Sequence, residues 1–160
     1  MNDREFFQAR RKAEKDSFLR VIRALPAGRL DYKPHERSPS AAQLLSTLVF
    51  EHAACADLAG TGKAEWKLEQ VGSVDEAASR FETHWDDLDR KVAGLDDAAW
   101  ARNGQFFMGG KLMSEQPIGG FLWFILFDAI HHRGQLTTYI RPMGGQVPAV
   151  YGPSGDSRKT

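Results

Sequence analysis

Asp128 and His132 stand four residues apart in the segment FDAIHHRGQLTTYIRPMGG, residues 127–145. On a helix that spacing brings both side chains to one face. Both are metal-ligand types, and the spacing suits two ligands on one ion. A third carboxylate, Glu51, takes an inward position in the seam Ala41, Leu44, Leu48, Glu51, Cys55, Leu58. His52 lies beside it, at the stripe's edge, and is the second choice of ligand from that helix. Three ligands from two facing helices leave coordination positions open to water or substrate, as catalytic rather than structural sites do. An isolated D-x-x-x-H pair is a weak signal, because most such pairs are surface ion pairs or satisfied polar contacts. The inward setting changes its weight, since an ionised carboxylate near a core costs several kcal/mol unless compensated. A cation compensates directly; without one, Glu51 or Asp128 must be protonated or paired with arginine.

The other polar candidates have simpler readings. His131 points about 100° away from His132 on a helix, toward a neighbouring helix, a loop or a partner subunit. Arg133 falls on the outer flank, where it pairs with an acid or meets an anionic group. Gly134 lets something approach the helix closely. His35 sits in a loop, His84 lies half-buried beside Phe81 and Trp85, and Cys55 is a small core residue without an activating neighbour. A ferritin-like di-iron site needs two Glu-x-x-His motifs and two further glutamates. Only Asp128-x-x-His131 comes near that pattern, and there is no P-loop, G-x-G-x-x-G or nucleophile elbow.

These residues need helices to carry them, and the chain supplies four. Phe7, Phe18, Ile22 and Leu25 share a face of the first, about 4–25, stopped by Pro26 and Gly28. The second starts at the N-cap Ser40 and reaches about Leu58. The third opens with the capping-box pattern SVDE, Ser73 to Glu76, and turns Ala77, Phe81, Trp85, Leu88, Val92 and Leu95 inward. The fourth begins at Pro117, with Ile118, Phe121, Ile125, Asp128, His132, Gln135 and Tyr139 as its inner face, and ends at Pro142. Between the third and fourth, NGQFFMGGKLMSEQP reads as a small hairpin or folded loop. Val147, Val150 and Tyr151 of the tail are placed to pack back on the helices. The expectation is an all-α four-helix bundle with a long crossover connection, formed as one domain over 1–160.

Composition narrows the function classes. The chain has 160 residues, 42% hydrophobic and 11% aromatic, enough for a real core. Its 21 basic and 21 acidic residues cancel, so it lacks the basic surplus a general nucleic-acid binder uses against phosphates. One cysteine rules out an intrachain disulfide. The charged amino terminus is unlike a signal peptide, and the apolar run Ile118–Ile130 is too short for a bilayer and holds Asp128. The expectations are a cytoplasmic location, a small-molecule substrate, no nucleic acid and no membrane.

At HHRGQLTTYIRPMGGQVPAVYGPSGD the sequence resembles the DinB-like (damage-inducible) superfamily of metal-dependent proteins. The likeness lies in the His-His-Arg-Gly-Gln helix, the Tyr-x-Arg end and the Val-Pro-x-x-Tyr-Gly-Pro-Ser tail. The stretch LDYKPHERSPSAAQLL is similar to the family's loop into the second helix. The resemblance covers most of the chain. It implies a four-helix bundle, usually a homodimer. It also implies a divalent metal, commonly zinc or nickel, held by one histidine of the second helix and an H-x-x-x-H pair of the fourth. Among its characterised members are S-transferases using bacillithiol or mycothiol and a thiol-dependent maleylpyruvate isomerase. This chain matches the pattern at His132, but Asp128 replaces the first histidine of the pair. The second-helix histidine would fall near Ser46 or Thr47, with Glu51 one turn further on as its substitute. Such a Glu/Asp/His set is harder than three histidines and favours manganese, iron or zinc. It also raises the pKa of a bound water by placing more negative charge around it. The expected function is therefore metal-dependent chemistry on a small electrophile, as a thiol S-transferase or hydrolase with a low-molecular-weight thiol. Two alternatives stand beside it: a non-catalytic metal-binding stress-related homodimer, and a metal-free helical interaction module in which Asp128 pairs with Arg133 or Arg141.

Overall fold

The computed structural model describes residues 1–157. Of the four long helices, the first three open on side-chain caps that satisfy free backbone N–H groups. Helix α1 (Asp3–Arg23) starts at Asn2, whose side chain accepts from Glu5 N while Glu5 accepts from Asn2 N, a reciprocal cap. Helix α2 (Ala41–Thr61) has the same box from Ser40 and Gln43, and ends on Gly62 at φ +80°. A side chain there would be strained, so glycine makes the left-handed stop. Helix α3 (Val74–Ala93) is capped by Ser73. Glu76 turns its carboxylate to Gly72 N instead of back to Ser73, so only half of the expected box forms. A short α4 (Asp97–Ala101) precedes strands β2 (Asn103–Met108) and β3 (Lys111–Pro117), and α5 (Ile118–Ile140) follows.

Helix α2 packs against α3 and α5, and α1 packs against the same two helices on their other side. Phe18, Phe81, Trp85 and the His52 ring stack at centroid distances of 4.8–6.1 Å in the middle of this core. Truncating a ring such as Phe81 to alanine would cost about 3–5 kcal/mol.

The all-α expectation needs correction, because a three-stranded sheet in the order β1-β2-β3 closes one end of the helices. The hairpin between the third and fourth long helices is β2–β3, turned by Gly109 and Gly110 at φ +59° and +74°. Two left-handed residues make the tight turn that matches strand twist. Strand β1 (Lys63–Trp66), just past the expected end of the second helix, pairs in parallel with β2, Ala64 opposite Phe106. Four residues are too few for alternation to stand out in the sequence. The pairing forms because the Gly62 cap turns the chain, whose carbonyl then accepts from Gln105 N at 2.9 Å.

Helix α5 sits about a quarter-turn from its expected orientation. Its fully buried line is Ile118, Leu122, Leu126, Ala129, Arg133, Leu136 and Ile140. The expected seam through Ile125, Asp128, His132 and Gln135 is half-buried. Apolar residues surround the first half of this helix, so two adjacent stripes fit the helical repeat equally well. Arg133 of the first stripe meets α1, while Phe121, Ile125 and His132 of the second face α2 and the sheet. Among the described residues no helix is long and apolar enough to cross a membrane.

Candidate metal centre

Glu51 lies midway along α2, a helix buried on nearly every side, and is 2% exposed. Opposite it, one turn apart on α5, stand Asp128 and His132. The Nδ1 atom of His132 is 2.8 Å from Oε1 of Glu51. Yet neither the His132 Nδ1 nor the Glu51 Oε2 makes a hydrogen bond of proper direction. A ligand atom from each of Glu51, Asp128 and His132 lies within 4.8 Å of the other two. A close pair without a well-directed hydrogen bond leaves Nδ1 of His132 and Oε2 of Glu51 available to a third atom. For metal bonds of about 2.0–2.2 Å, ligand atoms end roughly 3 Å apart. The Glu51–His132 pair is already near that spacing, and half-buried Asp128 has a carboxylate oxygen within 4.8 Å of both. The donor set therefore fits a divalent cation.

The electrostatics agree. Burial pushes the Glu51 carboxyl up to about 7, opposed by the neighbouring His132 and reinforced by Asp128. His132 is itself raised, chiefly by its contact with Glu51. Two carboxylates and one imidazole share the space, and both nearby arginines of α1 and α5 are committed elsewhere. Arg11 holds Asp89 at 2.6 Å and Arg133 holds Glu14 at 2.6 Å.

His52, the alternative ligand, is placed against that role. It lies at the core's centre, not at the stripe's edge, 1% exposed and stacked on Trp85. Its Nδ1 donates to Leu48 O at 2.9 Å, and burial pulls its pKa down to about 3. Ser46 donates to Ala42 O and accepts from Val71 N, so its hydroxyl is spent on backbone. Cys55 is buried and its thiol is pushed up to about 12, which makes it inert. His131 is exposed, His35 accepts from Arg37 N in its loop, and His84 is half-buried beside Phe50.

Arg133 corrects the outer-flank expectation: it is 2% exposed. Its guanidinium donates to Glu14 and Ser17 of α1 and to the Tyr151 hydroxyl at 2.7 Å, and Tyr151 in turn donates to Glu14 at 3.0 Å. This network ties the carboxyl-terminal tail to α1 and α5. Arg141 pairs with Asp156. Within the chain neither arginine is free to neutralise Asp128. Arg11 and Glu14, each 1% exposed, are buried polar residues absent from the sequence expectation, although both lie in step with Phe7, Phe18 and Ile22 on the same stripe. The logic that singled out Glu51 would have found them.

The DinB family model matches residues 1–158. The chain belongs to the DinB family. Solved DinB-like proteins share the fold. The one from Bacillus subtilis called YjoA superposes with a TM-score of 0.72 at 16% identity, over 92% of this chain and 99% of its own. One from Bacillus cereus gives 0.72 at 22%, over 92% and 97%. The mycothiol-dependent maleylpyruvate isomerase gives 0.59 at 12%, over 89% of this chain but 61% of its own. An uncharacterized Bacillus subtilis protein, YrdA, is 42% identical over 40 residues. That match spans about a quarter of each chain.

Proposed function

We propose that this DinB-family chain binds one divalent metal through Glu51, Asp128 and His132 and uses it on a small electrophile. The observation that carries this reading is a carboxylate, Glu51, that is 2% exposed with an unpartnered oxygen and no cationic side chain but His132 beside it. Such a carboxylate stays ionised at neutral pH only with a counter-ion beside it, and otherwise takes up a proton. The hard oxygen-rich set favours manganese, iron or zinc, with nickel less suited.

When bound, the ion would lower the pKa of a thiol or water that completes its coordination. The chain's own part is to hold the three ligands on two rigid helices, with α2 fixing Glu51 in the core. Half-buried Asp128 and His132 form the side through which a co-substrate arrives. A thiol S-transferase forms a carbon–sulfur bond while the electrophile's leaving group departs with the bonding pair. A hydrolase uses water in the same role. The fold likeness to a mycothiol-dependent enzyme supports the thiol version. Two copies of the chain are proposed to pair through the aromatic patch of Phe6, Trp123 and Phe127, whose rings meet at 5.6–5.8 Å on the outside of α1 and α5.

The test is thiol-dependent turnover of an electrophile panel by protein loaded with manganese, iron, zinc or nickel in turn. Turnover that needs both metal and thiol supports the S-transferase. Turnover with metal and water alone supports the hydrolase. Tight metal binding with no turnover moves the protein to the non-catalytic metal-binding reading.

A further inference from the structure

We propose that the groove between the β2–β3 hairpin and α5 is a binding site for an uncharged, flat apolar ligand, which it lays against the wall of the Glu51 pocket. The proposal rests on the metal-centre reading for what becomes of the ligand, but not for its binding. The groove encloses about 410 Å³ and is lined by Phe106, Ser114, Gln116, Phe121, Phe124 and Ile125. That volume suits a small organic molecule. Behind it lies an enclosed slot bordered by Glu51, Cys55 and Trp66, with only about 10 Å³ free. Phe106, Phe121 and Ile125 line both spaces. The groove is thus one side-chain layer from the buried carboxylate, and Ile125 lies one turn from Asp128 on the same flank of α5.

The lining selects by charge. Neither space is lined by a lysine or arginine; the groove has no charged lining residue and Glu51 is the one that borders the slot. A dicarboxylate ligand would meet like charge and no cation. An organic cation would gain about 0.5–2 kcal/mol from the phenyl faces, less than the hydration it gives up in a groove whose lining holds no carboxylate. A neutral ring gains by stacking on Phe106 and Phe121, themselves 5.9 Å apart and tilted by 39°. Ser114 and Gln116 offer hydrogen bonds to one polar substituent at the rim. Phe124 is 60% exposed and extends the apolar wall outward. The substrate class is therefore a neutral aromatic or alkyl electrophile rather than an anionic acid.

Calorimetric titration with naphthol, with naphthalenedicarboxylate and with naphthylmethylammonium tests this on the full chain, with and without manganese. Naphthol is expected to bind at least about ten-fold tighter than either charged ligand. Ile125→Trp, which fills the groove, should abolish naphthol binding while manganese uptake persists. Ser114→Arg, at a half-exposed strand position, should weaken that preference and draw in the dicarboxylate. Equal binding of all three ligands, or naphthol affinity indifferent to both substitutions, overturns the proposal. Naphthol binding that persists in protein taking up no metal supports the groove and sinks the metal reading alone.

Discussion

Glu51→Gln separates the cost of the buried carboxylate from its use. Without metal, burial holds this carboxyl at about 7 against an ordinary 4.5. That difference corresponds to about 3 kcal/mol between its two protonation states. The unfolded chain gives up the proton near the ordinary value, while the folded chain keeps it until about pH 7. Stability of the metal-free protein is therefore present in full at low pH. It falls by about 2–3 kcal/mol as pH rises from 5 to 8. His132, raised by the same contact, sheds its proton in the same direction and adds to the loss. Glutamine has the same shape, carries no proton to lose, and can donate to Asp128. Urea denaturation followed by circular dichroism in chelator should show a flat profile for the variant. At pH 8 it should exceed wild type by about 3 kcal/mol. With manganese or zinc added the order should invert, because glutamine is a poor replacement for an anionic ligand. A wild-type profile that is flat in chelator, or a variant that gains as much from metal as wild type, would refute the reasoning.

Arg133→Ala leaves Glu14 buried without its main partner, and chemical denaturation should show a loss of about 3–5 kcal/mol. Glu14 is held below the ordinary glutamate value by Arg133 and Tyr151, against its burial. Its stabilisation is present above the ordinary value of 4.5 and is lost as pH falls through the lower folded one. Acid titration of Glu14→Gln should lack that part of the wild-type transition. Gly119→Ala should cost about 1–3 kcal/mol in thermal melts, because its new methyl would sit 2.3 Å from the Trp100 ring. Gly134→Ala, with no atom within 4 Å, should raise stability by about 0.4–1 kcal/mol instead.

The sequence carried the helical elements and their caps because those signals are local: Ser40 with Gln43, Ser73 before Glu76, proline at 117. The hairpin was legible from Gly109-Gly110 between two apolar runs. Strand β1 was not, since its four residues acquire meaning only when β2, some forty residues later, lies beside them. The face of α5 was ambiguous for a physical reason. Two apolar stripes run along the helix, and only the polar partners on α1 and α2 decide which stripe faces which neighbour. That ambiguity misplaces Arg133 but keeps Asp128 beside His132, because i, i+4 spacing survives a rotation of the helix; the two still meet Glu51 because their flank of α5 faces α2. His52 was misjudged as marginal because its depth depends on Trp85 and Phe81 of a different helix. Arg11 and Glu14 look like ordinary members of a charged helix until Asp89 of α3 and Arg133 of α5 are seen to pair with them.

Elemental analysis of purified wild type beside Asp128→Ala, His132→Ala, Glu51→Ala and His52→Ala tests the centre most directly. The expected result is about one divalent ion per chain in wild type and His52→Ala, with loss in the other three. Wild type that carries no divalent metal, and whose melting temperature no added metal raises, would contradict the account. So would full metal in Glu51→Ala together with loss in His52→Ala.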